Sequence, residues 1–156
     1  MAEIIHDTFV IARSYTKPPH KVFAALSDPA KKRRWYADGK SHEVEAFDME
    51  FRVGGAERAR YRMNATTPFP GALLTSQGIH LDIVPDTRVV VASSMAMDGR
   101  VFSASLCTFA LAASADGGTT LTFTHQGAFF ENADGPQMRR GGWEAIFDRL
   151  DAELGA

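Results

Sequence analysis

The last twenty residues carry large apolar side chains at helical spacing. These side chains are Trp143, Ile146, Phe147, Leu150 and Leu154. The spacing places them on one face of a helix over 134–154, while acidic and basic residues occupy the opposite face. Such a helix is not stable alone, because its apolar face must be buried against another element. The spacing therefore predicts a long terminal helix packed on the rest of the chain.

Upstream of this helix, apolar and polar residues alternate as they do in strands. The alternation predicts strands over 8–15, 44–52, 56–63, 74–83, 89–95, 102–113 and 119–126. Gly54-Gly55, Asp98-Gly99 and Asp116-Gly117-Gly118 are typical hairpin turns between neighbouring strands. The strand over 89–95 is apolar on both sides, so the alternation does not assign its inner face. We predict a curved antiparallel sheet around the terminal helix, which is an α+β fold.

Two short helices are predicted after the first strand. The first has an apolar face made of Val22, Phe23 and Leu26. The second begins at Asp28-Pro29, where aspartate caps the helix and proline suits its first turn, and it ends near Trp35. The basic run 31–34 is expected on the solvated side of this second helix.

Composition narrows the function classes. The 156 residues suit one domain over 1–156, and 45% hydrophobic with 23% charged residues are typical of a globular protein. A net charge of -2 argues against nucleic acid or an anionic membrane as a partner. No apolar run approaches the roughly 20 residues that span a bilayer. With no export signal and the single cysteine Cys107, we expect a cytoplasmic protein.

Short motifs spread over most of the chain carry a family resemblance. They are Phe9-x-Ile11-x-Arg13, Ser27-Asp28-Pro29 followed by Trp35, Gly54-Gly55, Pro85-x-x-Arg88, Gly118-Thr119, His125 and Gly142-Trp143. In these motifs the chain resembles proteins related to the C-terminal domain of the activator of the 90-kDa heat-shock protein ATPase. That family belongs to the START-like, or SRPBCC, helix-grip superfamily. The resemblance implies a helix-grip fold, in which a seven-stranded antiparallel sheet grips the C-terminal helix around an apolar cavity.

The resemblance leaves several functions open, because this superfamily includes lipid and hormone carriers, polyketide cyclases, oxygenase subunits and co-chaperone domains. Relatives often carry a tryptophan in the strand that here reads Ala92-Ser93-Ser94-Met95. The smaller residues at this place predict a wider pocket.

His125 is the strongest candidate for acid–base chemistry. Its strand places it on the side of Leu121 and Phe123, which should face the helix. An imidazole there could bind a ligand carbonyl or transfer a proton near neutral pH, and the alternative is a structural histidine. Tyr61 and Asp48, with His80 as a weaker choice, are the candidate partners that would complete a catalytic set.

Aromatic and methionine residues form a second constellation, predicted to line a ligand pocket. Together with Tyr61 and His125, its members are Trp35, Phe69, Met95, Met97, Phe129, Met138, Trp143 and Phe147. The alternative is an ordinary core, but many of these residues fall in loops or at strand ends. Methionine adapts to irregular apolar shapes. Gly141-Gly142 would weaken the helix, which suggests close approach to the sheet or an opening toward the cavity.

The leading hypothesis is therefore a protein that binds a small hydrophobic or amphipathic molecule between sheet and helix. The alternatives are an acid–base enzyme of the polyketide cyclase or dehydratase type and a chaperone ATPase-regulating interaction domain. The interaction domain would use the basic run together with Arg58, Arg60 and Arg62. We expect no cofactor and no metal, because the histidines lack ligand spacing. A homodimer is possible, and a chaperone is a weaker candidate partner than a small hydrophobic molecule.

Overall fold

Seven strands form one antiparallel sheet in the computed structural model, which describes residues 3–155. Strands β1 to β7 are Ile5–Tyr15, His42–Met49, Ala56–Met63, Leu73–Val84, Arg88–Met97, Arg100–Ala113 and Thr119–Phe129. Their spatial order is β1-β7-β6-β5-β4-β3-β2, so consecutive hairpins build six strands and β1 pairs with the last. This order confirms the predicted α+β helix-grip fold.

Within residues 3–155, three helices and one π-helical turn accompany the sheet. They are α1 (Pro19–Ser27), α2 (Pro29–Lys32), the π-turn (Arg33–Ala37) and α3 (Pro136–Leu154). The Asp28 carboxylate caps α2 by accepting hydrogen bonds from the backbone N–H groups of Ala30 and Lys31, at 2.9 and 3.2 Å. The predicted second short helix thus forms, but its end is the π-turn that holds Trp35.

The core lies where α3 meets β6 and β7. The Trp143 and Phe147 rings of α3 pack on Phe123 of β7, with ring centres 4.4 and 5.1 Å away. Phe109 of β6 lies 4.9 Å from the same Phe123 ring. Phe123 and Phe147 are fully buried, so the predicted apolar face of the helix is the face that contacts the sheet.

Ion pairs and hydrogen bonds hold the two sides of α3. On one side, the Arg13 guanidinium of β1 contacts Asp148 at 2.9 Å and Asp151 at 2.8 Å. It also donates to the Glu144 carbonyl at 3.3 Å. On the other side, Arg149 Nε donates to the Trp35 carbonyl at 3.1 Å. The helix is therefore anchored to both β1 and the π-turn.

Alternation identified the two faces of β4 but not which one points inward. Ile79 and Leu81 are about half exposed on the outer face, whereas His80 is fully buried on the inner face. The turn between β2 and β3 holds His80 there, because the His80 N–H donates to the Gly55 carbonyl at 3.0 Å. His80 Nδ1 also lies 3.0 Å from this carbonyl oxygen. On β5, the inner face is the one that carries Val89 and Val91.

No helix within residues 3–155 is both long and apolar enough to span a membrane.

Replacing Arg13 by alanine should lower the free energy of unfolding by roughly 1–3 kcal/mol, because three contacts to α3 are lost. Urea unfolding monitored by tryptophan fluorescence measures this change. Arg52→Ala is the matched control, since the Arg52–Glu50 pair is largely exposed and its loss should have little effect. Equal stability of the two variants would show that Arg13 does not anchor the helix.

Candidate functional site

A row of small residues crosses the inner face of the sheet. Strand register aligns Gly78 of β4, Ser93 of β5, Ser105 of β6 and Gly127 of β7. We call these four residues the trough, which at about 4.8 Å per strand extends roughly 14 Å. Ser93, Ser105 and Gly127 are half-buried, so they keep contact with solvent. The segment 92–95, which was predicted to widen the pocket, contributes Ser93.

His125 lies beside the trough and is only 1% exposed. Its ring stacks on Phe9, with ring centres 4.6 Å apart. The Cε1 edge of the ring lies 2.8 Å from the position that a Cβ on Gly127 would occupy. The neighbouring Nδ1 atom is buried and has no hydrogen-bond partner among the described residues. The imidazole therefore offers an unused polar atom next to the trough.

Burial is the main cause that lowers the pKa of His125, to about 4, and the nearby positive charge of Arg139 lowers it further. The imidazole is consequently neutral at pH 7. It can accept or donate a hydrogen bond, but it is not poised to supply a proton near neutral pH.

A buried ion pair lies at the β3 end of the trough. Lys32 Nζ of α2 contacts Glu57 Oε1 at 2.5 Å, and the two side chains are 3% and 10% exposed. Glu57 pairs with Gly78 in the strand register, so it continues the row of the trough. The ammonium also lies over the Tyr36 and Phe109 rings, 4.9 and 5.5 Å from their centres. This corrects the expectation for the basic run, because Lys32 points inward while its neighbours are exposed.

A second internal ion pair lies at the start of α3. Arg139 donates two hydrogen bonds to the Asp134 carboxylate, at 2.7 and 2.8 Å, and a third to Ser103 Oγ at 2.8 Å. Its guanidinium lies 5.0 Å from the centre of the Phe129 ring. The pair therefore fixes the loop before α3 to the inner face of β6.

Aromatic side chains of the π-turn and of α3 stand over the inner face. Tyr36 packs on Trp143 with ring centres 5.6 Å apart, and on Phe47 of β2 at 6.1 Å. Trp35 is fully buried behind them and donates from Nε1 to the Ala25 carbonyl at 2.9 Å. Desolvation raises the pKa of Tyr36 well above its usual value, so the phenol stays neutral.

The structure separates the residues predicted to line a pocket into three groups. The buried ones are Trp35, Tyr61, His125, Phe129, Trp143 and Phe147. Met95 and Met97 are half-buried on β5, where Met95 pairs with Ser76 and Ser103. Phe69 and Met138 are 61% and 70% exposed and do not reach the inner face. Apolar character alone does not show which way a side chain points. Phe69 lies in a loop, and Met138 lies on the solvent side of α3.

The candidate catalytic residues do not converge. Tyr61 is on β3 and His125 is on β7, four strands apart in the sheet. Asp48 is exposed on the outer face of β2, opposite Arg58. Burial raises the pKa of the Tyr61 phenol above its usual value. An acid–base set of His125 with Tyr61 or Asp48 is therefore not assembled in this structure.

Gly141 and Gly142 lie on the exposed side of α3. A Cβ built on either residue would meet nothing within 4 Å. The two glycines thus do not mark a close approach to the sheet, and the space beside them is open. Among residues 3–155, no three His, Cys, Asp or Glu side chains are grouped so that they could hold a metal ion.

Two surface depressions are present among residues 3–155. One, of about 400 Å³, lies over β1, β7 and β6; most of its lining faces outward, but it also includes Ser105 and Gly127 of the trough. The other, of about 280 Å³, lies between α1 and the end of α3 and is lined by Lys17, Lys21 and Lys31. Neither is lined by His125 or Trp143.

Sequence reasoning missed both internal ion pairs. Glu57, Ala59 and Tyr61 are two residues apart in the strand and point to the same face, so alternation could have placed Glu57 inside. Lys32 had no such signal, because α2 is a single turn that continues into the π-turn. Arg139 precedes Trp143 by four residues, one helical turn, and could have been placed on the buried face of α3.

Comparisons with known proteins agree with the fold and the motifs. The sequence model of the family described as "Activator of Hsp90 ATPase homolog 1-like protein" matches residues 16–155. No curated protein matches the chain in sequence.

Solved structures resemble the chain over nearly its whole length. An uncharacterized protein from Rhizobium leguminosarum superposes with a TM-score of 0.90 and 32% identity, over 99% of this chain and 98% of that one. The Mll3558 protein from Rhizobium loti gives a TM-score of 0.84 and 41% identity, over 97% and 99%. The CV1439 protein from Chromobacterium violaceum, at 23% identity, shows the same fold with a TM-score of 0.77 over 96% and 99%.

Breaking the Lys32–Glu57 pair from one side should be costly. Glu57→Gln leaves a buried ammonium without a counter-charge and should lower the free energy of unfolding by about 3 kcal/mol or more. The double variant Lys32→Met/Glu57→Gln should lose less than the sum of the single variants, as measured by urea unfolding. Glu45→Gln, which affects the exposed Arg62–Glu45 pair, is the control and should be nearly neutral. Strict additivity would contradict a coupled buried pair.

His125 should make stability depend on pH. Its folded pKa, about 4, lies below the ordinary value of 6.5, so the unfolded chain binds more protons between these values. Stability should therefore fall as pH drops from 6.5 toward 4. Between pH 7 and pH 4 the protein should lose roughly 3 kcal/mol more than His125→Gln does.

Urea unfolding over this pH range, with NMR titration of the imidazole, measures the effect. The exposed residue His20 provides the control, because His20→Gln should keep the dependence of the unmodified protein. An NMR midpoint near 6.5 for His125 would contradict its desolvation.

Proposed function

Because the chain belongs to the family of activator of Hsp90 ATPase homolog 1-like proteins, we propose that it binds a small hydrophobic or amphipathic molecule between the sheet and α3. The observation that carries the proposal is the trough, where four small residues align across the inner face and three of them are only half-buried. Its room lies at Ser93 and Ser105, because neighbouring side chains already approach the places that a Cβ on Gly78 or Gly127 would take. Trp143, Tyr36 and Met95 would form the walls around it.

The position of the helices supports this placement. The closest backbone contacts of α3 are with β1, α1 and the π-turn, and its rings rest on β6 and β7. The π-turn in turn packs against β2. The inner face of β4 and β5 lies between these two helical layers, and it carries Gly78 and Ser93. A ligand there would contact apolar rings on both sides.

An unpaired buried polar atom also supports a ligand. Buried nitrogen atoms in folded proteins nearly always have a hydrogen-bond partner. His125 Nδ1 has none among the described residues, and its ring edge faces the trough at Gly127. A bound oxygen atom would supply the missing partner once the side chains around the imidazole move, because this nitrogen is shielded from solvent.

The two alternative functions receive less support. An acid–base enzyme needs His125 close to a second titratable group, and Tyr61 and Asp48 are both distant from it. A chaperone-docking face would need free positive charge at the basic run and on β3. Arg34 pairs with Glu153 and Arg62 pairs with Glu45, which reduces that charge, whereas Lys31 and Arg58 have no ion pair among residues 3–155.

Filling the trough should weaken binding without unfolding the protein. Ser93→Phe places a ring in the trough, whereas Ser94→Phe places the same ring on the outer face of the same strand. Titration with Nile red, an uncharged dye that fluoresces in apolar sites, should show binding to the unmodified protein and to Ser94→Phe. Ser93→Phe should bind Nile red at least about tenfold more weakly, because its ring occupies the space of the dye. Equal binding by both variants would place the ligand elsewhere.

A further inference from the structure

The charges that enter the interior are already neutralised by their own partners. Lys32 contacts Glu57 at 2.5 Å, and both side chains are at least 90% buried. Arg139, which is 7% exposed, is held by both oxygen atoms of Asp134. Neither cation is therefore free to meet a ligand anion without first losing a carboxylate.

The remaining charged groups near the site give no net positive charge, although Arg149 has no ion pair among residues 3–155. Arg13 of β1 is engaged by two carboxylates, those of Asp148 and Asp151. Arg149 donates to the Trp35 carbonyl, on the side of α3 away from β1. Asp7 aligns with Gly127 in the strand register and has no ion-pair partner among residues 3–155, so it adds a negative charge at the β1 end of the row.

The free polar groups along the trough are uncharged. Ser93 Oγ and Ser105 Oγ share a hydrogen bond of 3.1 Å, and either hydroxyl can make a further one. His125 Nδ1 has no hydrogen-bond partner among the described residues, and the His125 side chain is buried. These groups can bind a hydroxyl or carbonyl oxygen, but they cannot compensate the desolvation of an ionised group.

From this arrangement we propose that the trough selects an uncharged molecule that carries at least one hydrogen-bonding oxygen, and that it rejects carboxylates of the same skeleton. The oxygen binds the Ser93–Ser105 hydroxyls and reaches His125 Nδ1 when the side chains around the imidazole move. The apolar body contacts Trp143 and Tyr36. This inference rests on the proposed ligand-binding function and specifies the chemical class of the ligand.

Three aromatic molecules of similar size test the selection: naphthalene, naphthol and naphthoate. Displacement of Nile red by each molecule is measured at neutral pH, where naphthol is neutral and naphthoate is ionised. Naphthol should bind at least about tenfold more tightly than naphthoate, because the ion loses its hydration without gaining a partner. Naphthol should also bind more tightly than naphthalene, which cannot hydrogen-bond.

The outcomes separate this inference from the function on which it rests. Naphthoate binding as tightly as naphthol would overturn the selection of an uncharged ligand, and naphthalene binding as tightly as naphthol would overturn the role of the oxygen. Either result would leave ligand binding in place. If neither Nile red nor any of the three molecules binds, the ligand-binding function itself is wrong.

Releasing an internal cation should reverse the preference. Asp134→Asn removes the carboxylate that holds Arg139 and should strengthen naphthoate binding by about tenfold or more, with little change for naphthol. Glu131→Gln is the matched control, since it removes an exposed negative charge from the same loop. If both variants strengthen naphthoate binding equally, general electrostatics rather than the freed Arg139 is responsible, and the proposed role of the internal pairing is wrong.

Discussion

The burial of Trp143 and Phe147 against Phe123 is the contact on which the rest of the structure depends. A helix with this apolar face does not persist in water alone, so α3 needs the sheet. The sheet has the same requirement, because its inner rows would otherwise expose Phe109 and Phe123. The contact also fixes the strand register. A shift of one residue in β7 would turn Thr122 inward and Phe123 outward.

The position of the trough follows from how the two helical layers share the inner face. α3 covers the β1, β7 and β6 side, while α2 and the π-turn cover the β3 side and are joined to α3 through Trp35. α3 and the π-turn contact each other, and beneath them large side chains such as Val89 and Phe109 are buried. The trough lies at another level of the same strands, where Ser93, Ser105 and Gly127 are only half-buried. The site is thus a consequence of helix placement rather than of one inserted motif.

The sequence predicts what depends on local periodicity. The spacing of apolar residues in α3 and the alternation in β7, which turns His125 inward, both follow from side-chain direction along a regular element. The rest depends on which element covers which face. Alternation in β4 could not decide that His80 rather than its apolar neighbours points inside. The sequence around Lys32 is typical of a solvated basic run, because nothing local reveals Glu57 above it. The direction of Met138 depends on how α3 begins, which local periodicity does not show.

Internal charge pairing connects the stability of the fold to the chemistry of its site. An isolated charge in the interior is strongly disfavoured, so a cation can enter only together with an anion. Lys32 lies on α2 and its partner Glu57 lies on β3. The pair therefore forms only when α2 and β3 are both in their native positions. Arg139 and Asp134 connect the start of α3 to its preceding loop in the same way. Because folding already consumes each of these opposite charges, none is left for a ligand. The polarity of the trough is therefore set by hydroxyls and one neutral imidazole, and the same desolvation cost that pairs the charges during folding acts on any molecule that enters afterwards.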